Sequence, residues 1–177
     1  MYTGEKIRLR AFDNSDLCRL MSYANDYSVM RSASGGLLLP STVEDEARFM
    51  GSQTNWSAGE YQFAIEALEN GELIGQCGLT HLSWKNRVAE VTILIGEKAY
   101  RGKGYGADAV RTLCRFAFDE MNLHKLKAVV FDFNDTAKRC YEKCGFKTEG
   151  LLREEIYREG KYHDVAVMSL IRNTEEA

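Results

Sequence analysis

Arg101-Gly102-Lys103-Gly104-Tyr105-Gly106 decides how this chain is read, because the β-branched run Val91-Thr92-Ile93-Leu94-Ile95 precedes it and a helix-patterned segment follows. Strand, glycine turn and helix start together make a cradle for an anion. Glycines let the backbone come close to a bound group and aim several N–H donors at it, while the helix dipole, Arg101 and Lys103 favour negative charge there. The expected ligand carries phosphate. A Walker loop is excluded, since it needs four residues between its glycines and then Gly-Lys-Ser/Thr. Gly102, Gly104 and Ala107 do satisfy the dinucleotide pattern G-x-G-x-x-A, but that fold requires further βαβ units after its first turn. Only about 70 of the 177 residues follow, and they end in what reads as an antiparallel hairpin.

Composition limits the remaining choices. With 177 residues, 45% hydrophobic and 28% charged, residues 1–177 fit a single domain with a core large enough to fold alone. A formal net charge of −3 and a pI near 5.7 argue against general nucleic-acid or anionic-membrane binding, so any basic patch is local. Met1-Tyr2-Thr3-Gly4-Glu5-Lys6 has no apolar leader core, and no run approaches the roughly 18 apolar residues of a membrane span. A cytoplasmic location is expected. The five cysteines, Cys18, Cys77, Cys114, Cys140 and Cys144, are odd in number and scattered, which suits reduced thiols. Cys140 and Cys144 stand one helical turn apart, but no CxxC or HxxxH accompanies them, so no metal is expected.

Periodicity lays out one continuous domain. Ile7 to Arg10 alternates as a strand, and Asn14-Ser15-Asp16 offers caps for a helix carrying Leu17, Leu20, Met21 and Ala24. Ser32 to Pro40 reads as a loop, and Glu44 to Trp56 as a second helix starting near Ser41 or Thr42. Tyr61 to Leu68 and Leu73 to Leu79 are strands around the hairpin dipeptide Asn70-Gly71, and Ala89 to Ile95 is a third. A helix from Gly106 to Met121 follows, then a strand Leu126 to Phe131, a short helix from about Asp135 to Lys143, and two strands joined near Glu159-Gly160. This order predicts an α+β fold with a mixed, mostly antiparallel sheet of about seven strands and about four flanking helices.

Arg101, Gly104 and Gly106 also fill the pattern Arg/Gln-x-x-Gly-x-Gly/Ala. About thirty residues on, Asn134 to Phe146 fills every fixed position of N-x-x-A-x-x-x-Y-x-x-x-G-F, with Asn134, Ala137, Tyr141, Gly145 and Phe146. With these two blocks the chain resembles the GNAT superfamily of N-acetyltransferases. The segment Arg153 to Val165 further resembles the C-terminal hairpin of the branch containing ribosomal-protein N-terminal acetyltransferases and spermidine acetyltransferase.

The resemblance implies acetyl-coenzyme A as co-substrate. Its pyrophosphate would lie on Arg101, Gly102, Lys103, Gly104, Tyr105 and Gly106, and its pantetheine arm along Leu94, Ile95 and Gly96, with Gly96 suited to a bulge that opens the sheet. Asn134 would hold the arm, with Ala137 and Lys138 on the same short helix, and Tyr141 would protonate the departing thiolate. A capping role for Asn134 and a core role for Tyr141 are the plainer readings. Glu90, at the head of the strand that feeds the cradle, is the candidate base, with His81 and His163 as alternatives. The expected acceptor is a protein or peptide N-terminal amine attacking the thioester directly. A polyamine or other small amine is the alternative, and a non-catalytic acyl-coenzyme A sensor is the rival from another class. A strand edge near the C-terminus leaves homodimerisation open.

Overall fold

The structure is a computed structural model and describes residues 2–52 and 59–172. Eight strands form one sheet: β1 (Tyr2–Thr3), β2 (Ile7–Arg10), β3 (Tyr61–Ala67), β4 (Leu73–Ser83), β5 (Val88–Ile95), β6 (Lys125–Phe131), β7 (Lys147–Arg158) and β8 (Lys161–Ile171). The helices are α1 (Leu17–Ala24), α2 (Tyr27–Met30), α3 (Val43–Ser52), α4 (Tyr105–Asp119) and α5 (Asp135–Lys143). The sheet order is β1-β2-β3-β4-β5-β6-β8-β7, and every neighbouring pair is antiparallel except β5 with β6.

The architecture is the α+β arrangement expected, with one more strand and one more helix among the described residues. The two additions have a common cause. β1 is two residues long and α2 four, so neither completes the period by which a strand or helix is read from sequence. The α3 helix is capped by Thr42, whose Oγ1 accepts from Asp45 N while the Asp45 carboxylate accepts from Thr42 N. Its expected end at Trp56 lies outside the described residues. Before α1 the cap is Asp13 rather than the three residues after it, with the Asp16 carboxylate accepting from Asp13 N at 2.8 Å in return.

Alternation in the strands sends side chains to two cores. Ile7, Leu9, Ile65, Cys77, Leu79, Ala89 and Val91 meet Val110, Leu113 and Ala117 of α4 on one face. Ala64 and Leu73, with Leu94 beside them, meet Leu20, Tyr23, Val29 and Met50 from α1, α2 and α3 on the other. Fully burying each Leu, Ile or Val stabilises the fold by about 1.5–3 kcal/mol, so the sheet is held as the middle layer. At the start of α4, the buried Asp108 carboxylate accepts from the backbone N–H groups of Glu5, Lys6 and Ile7, at 3.2, 2.8 and 3.2 Å. That anchors the β1–β2 turn beside the glycine turn.

The parallel pair β5–β6 matters most for function. It pairs only Val88 with Lys125, Ala89 with Leu126 and Glu90 with Lys127, and beyond Glu90 the two strands part. Among the described residues, Val91–Ile95 therefore pairs with β4 on one edge and with no strand on the other.

Candidate active site

Below this split runs a cleft of about 540 Å³, walled by Ile93, Leu94 and Ile95 on β5, by the turn Arg101–Gly104 with Gly106 and Ala107, and by Asn134, Ala137 and Cys140 on α5. The turn has the conformation that glycine was expected to supply. Gly102 and Gly104 have φ of +73° and +92°, which other L-residues adopt only with strain. Gly104 is the N-cap of α4, and the first bond of the helix runs from Asp108 N to Gly104 O. The N–H groups of Tyr105, Gly106 and Ala107 precede that bond and are left as donors at the positive end of the helix dipole. The cleft thus has a built anion cradle at one end.

Arg101, a wall of the cleft, also has partners within the fold. Its Nε donates to Ile95 O at 2.8 Å and its guanidinium NH2 group to Gly96 O at 3.0 Å, tying the end of β5 to the turn. At the other end of the same open edge the Tyr141 hydroxyl donates to Val91 O at 3.2 Å. Alternate carbonyls of a strand face the same edge, so Val91 and Ile95 are engaged and the Ile93 carbonyl lies between them. An amide-bearing arm laid along this edge would find its partner there.

Charge in the cleft comes from residues the sequence did not single out. Arg139 and Lys143, one turn apart on α5, both line it, as does Thr136. Lys103, Tyr105 and Lys138, expected at the site, are not among its walls. Lys103 and Lys138 are exposed, while Tyr105 is buried edge-on against the Tyr100 ring at 4.9 Å, so only its backbone serves the cradle. The basic i, i+4 pair at 139 and 143 was a readable signal. A second unforeseen wall is α2 and the chain after it, through Val29, Ser32 and Ala33. This segment is fastened by Asn134 Nδ2 to Ser32 O (3.4 Å), by Arg158 to the carbonyls of Ser34 and Gly36, and by Arg31 and Tyr27 to the Glu159 carboxylate. Those anchors come from residues over a hundred positions away.

Asn134 both caps α5, its Oδ1 accepting from Ala137 N at 3.1 Å, and faces the cleft. Gly96 does not form a bulge. It lies past the end of β5, and a Cβ there would overlap the Tyr23 ring, so glycine is required for close packing of α1.

The two candidate catalytic groups converge on the point where the strands part. Glu90 is the last residue of β5 paired with β6, and Val91, which receives the Tyr141 hydroxyl, is the next. Tyr141 is 4% exposed, and burial first, then its buried thiol neighbours and Glu90, push its hydroxyl well above the ordinary range. It stays protonated at neutral pH, as a proton donor must. Alternation places Glu90 on the face opposite Ala89 and Val91, so the carboxylate and the phenol approach the split from opposite sides of the sheet.

The other candidates are placed differently. His81 is 78% exposed, with its Nδ1 3.5 Å from Glu90 Oε2. His163 is 5% exposed and its Nδ1 meets Asp132 Oδ1 at 2.8 Å, away from the split. Cys140 is poorly suited to carry the acetyl group, because its neighbour Cys144 and its burial both hold the thiol protonated. Among the described residues no group of His, Cys, Asp or Glu is arranged to hold a metal ion, and no helix is long and apolar enough to cross a membrane.

Known proteins resemble this chain in sequence and fold. The acetyltransferase (GNAT) domain model matches residues 6–147. An uncharacterized N-acetyltransferase p20 of Bacillus licheniformis is 30% identical over 97% of this chain and 96% of its own. The spermidine N(1)-acetyltransferase of Vibrio cholerae is 29% identical over 96% of this chain and 95% of its own. A crystal structure of the Vibrio cholerae spermidine N-acetyltransferase in complex with CoA and spermine superposes with a TM-score of 0.84 at 28% identity, covering 94% of this chain and 95% of that one. With a glycine cradle, an open strand edge and this match over most of its length, the chain belongs to the GNAT acetyltransferase family and is an acetyl-coenzyme A-dependent N-acetyltransferase.

Proposed function

We propose that the enzyme acetylates a small primary amine of the polyamine class by direct attack within a ternary complex, without a covalent enzyme intermediate. The observation that carries the acceptor class is the likeness, over nearly the whole chain, to spermidine N-acetyltransferases, one of them solved with CoA and spermine. The charge of the chain agrees with it. Glu154, Glu155 and Asp164 on the β7–β8 hairpin, with Glu90 at the split, present carboxylates suited to attract a polycation.

The chemistry follows from the two-sided split. Acetyl-coenzyme A lies with its pyrophosphate on the Gly102–Ala107 amides between the Arg139 and Lys143 cations, and its arm on the Ile93 edge. An ammonium on the Glu90 side loses a proton to that carboxylate, directly or through water, and the neutral nitrogen attacks the thioester carbonyl. A C–N bond forms, the C–S bond breaks, the sulfur takes a proton from the Tyr141 hydroxyl on the other side, and the proton shed by the acylated nitrogen restores the phenol.

A protein or peptide N-terminal amine is the second reading, supported by the resemblance of the Arg153–Val165 hairpin to ribosomal-protein N-terminal acetyltransferases. Release of coenzyme A thiol from acetyl-coenzyme A separates the two. Spermidine and spermine are expected to give a kcat/KM at least about 100-fold above a peptide with a free N-terminus, since an acceptor site discriminates by the charges it pairs. The reverse order would overturn the polyamine reading.

A further inference from the structure

Two thiols, one in the wall of the cofactor cleft and one beside it, take no part in this chemistry. Cys140 lines the cleft between Arg139 and Lys143 on α5. Cys144 stands one turn further on and donates through its Sγ to Ala107 O at 3.4 Å. The pair therefore bridges α5 to the first turn of α4, where the cradle amides lie. Cys140 Sγ is also 3.6 Å from the place a Cβ would take on Gly106, so the sulfur is packed against the cradle itself.

We propose that Cys140 and Cys144 form an oxidation site, closing to a disulfide under a hydroperoxide and thereby weakening acetyl-coenzyme A binding. Side chains four apart on a helix have Cβ atoms about 5–6 Å apart, whereas a disulfide needs about 3.5–4.5 Å. The end of α5 can supply that movement. Cys144 is its C-cap residue and is followed by Gly145 with φ of +89°, so no further helical turn has to be broken.

The reactivity is divided between the two sulfurs. The hydrogen bond from Cys140 and the nearby Arg111 guanidinium lower the pKa of Cys144, favouring its thiolate. That thiolate attacks one peroxide oxygen, the O–O bond breaks, and with one proton taken up the products are a sulfenic acid and water. The Cys140 sulfur then attacks Cys144 Sγ, its own proton leaving with the hydroxyl as a second water. Two thiols and one H2O2 become one disulfide and two waters. The remaining thiols behave differently: Cys77 and Cys114 are buried and held protonated by desolvation, and Cys18 is exposed on α1. Closing the disulfide draws Cys140 away from Gly106 and takes Cys144 off Ala107 O, which deforms the cradle.

Trypsin makes the bond directly visible, because Arg139, Lys143 and Lys147 release Cys140–Lys143 and Cys144–Lys147 as separate tetrapeptides. Protein exposed to hydrogen peroxide is expected to yield the two joined as one species. Its Kd for coenzyme A, measured by calorimetry, should rise about tenfold and return after dithiothreitol. Cys144→Ser and Cys144→Ala should each show the same Kd with and without peroxide, whatever their starting affinity. The proposal is overturned if peroxide that oxidises Cys18 leaves the tetrapeptides unlinked, or if they link and the Kd moves by less than about twofold. Coenzyme A binding is read without an acceptor, so this result does not depend on which amine the enzyme acetylates.

Discussion

Replacing Tyr141 by Phe removes one oxygen, and the structure separates its two consequences. The hydroxyl donates to Val91 O at 3.2 Å inside the core, and a buried neutral hydrogen bond contributes about 0.5–1.5 kcal/mol to stability. In a protein of 177 residues each kcal/mol is about 2–4 °C in Tm, so Tm should fall by only a few degrees. A general acid typically contributes about 10²–10⁴-fold, or about 2.7–5.4 kcal/mol at 1.36 kcal/mol per decade. The ring stays in place against Phe146, and the hydroxyl would meet only the sulfur of the cofactor, so affinity for coenzyme A should change little. The assay is coenzyme A thiol release at saturating acetyl-coenzyme A, with calorimetric binding and thermal unfolding run on the same samples. A kcat within about threefold of the parent, alongside the expected loss in Tm, would show that the phenol only fills and ties the core.

Three further outcomes follow from local geometry. Arg101→Lys loses the fork that holds both Ile95 O and Gly96 O, and steady-state kinetics should show the acetyl-coenzyme A KM raised about tenfold with kcat little changed. Gly96→Ala forces a methyl group into the Tyr23 ring, and thermal unfolding should report a loss of about 1–3 kcal/mol. Burial raises the Cys77 and Cys114 thiols above their ordinary value of 9.0, so the folded state disfavours a thiolate that the unfolded chain accepts. Their contribution is complete below pH 9.0 and is lost as pH rises beyond it; a Tm that falls above that pH less steeply in Cys77→Ala than in the parent checks the sign.

Strands β2 to β8, α4 and α5 were legible because each repeats its period or carries a strong local signal. The span of α5, Asp135 to Lys143, coincides with the sequence reading, and Asn134 is at once its cap and a wall of the cleft. Glycine at 102 and 104 was readable as a turn because only the missing Cβ makes positive φ inexpensive. Where the side chains of Lys103, Tyr105 and Lys138 lie was not legible, because a motif tells which backbone forms a cradle, but not which way its side chains turn.

What the sequence by itself determined is therefore local: the order of elements, the cradle, and the family whose spacing they share. Tertiary structure alone decided that β5 and β6 part after Glu90, that Tyr141 and Glu90 reach this split from opposite faces, and that Arg101 ties the end of β5 to the turn. It also decided that the chain from Tyr27 to Gly36 walls the cleft, held by Asn134, Arg158 and Glu159. The physical reason is range. Turn conformation and helix caps depend on interactions within a few residues, whereas the site is closed by contacts between residues more than a hundred positions apart, which exist only once the sheet has assembled.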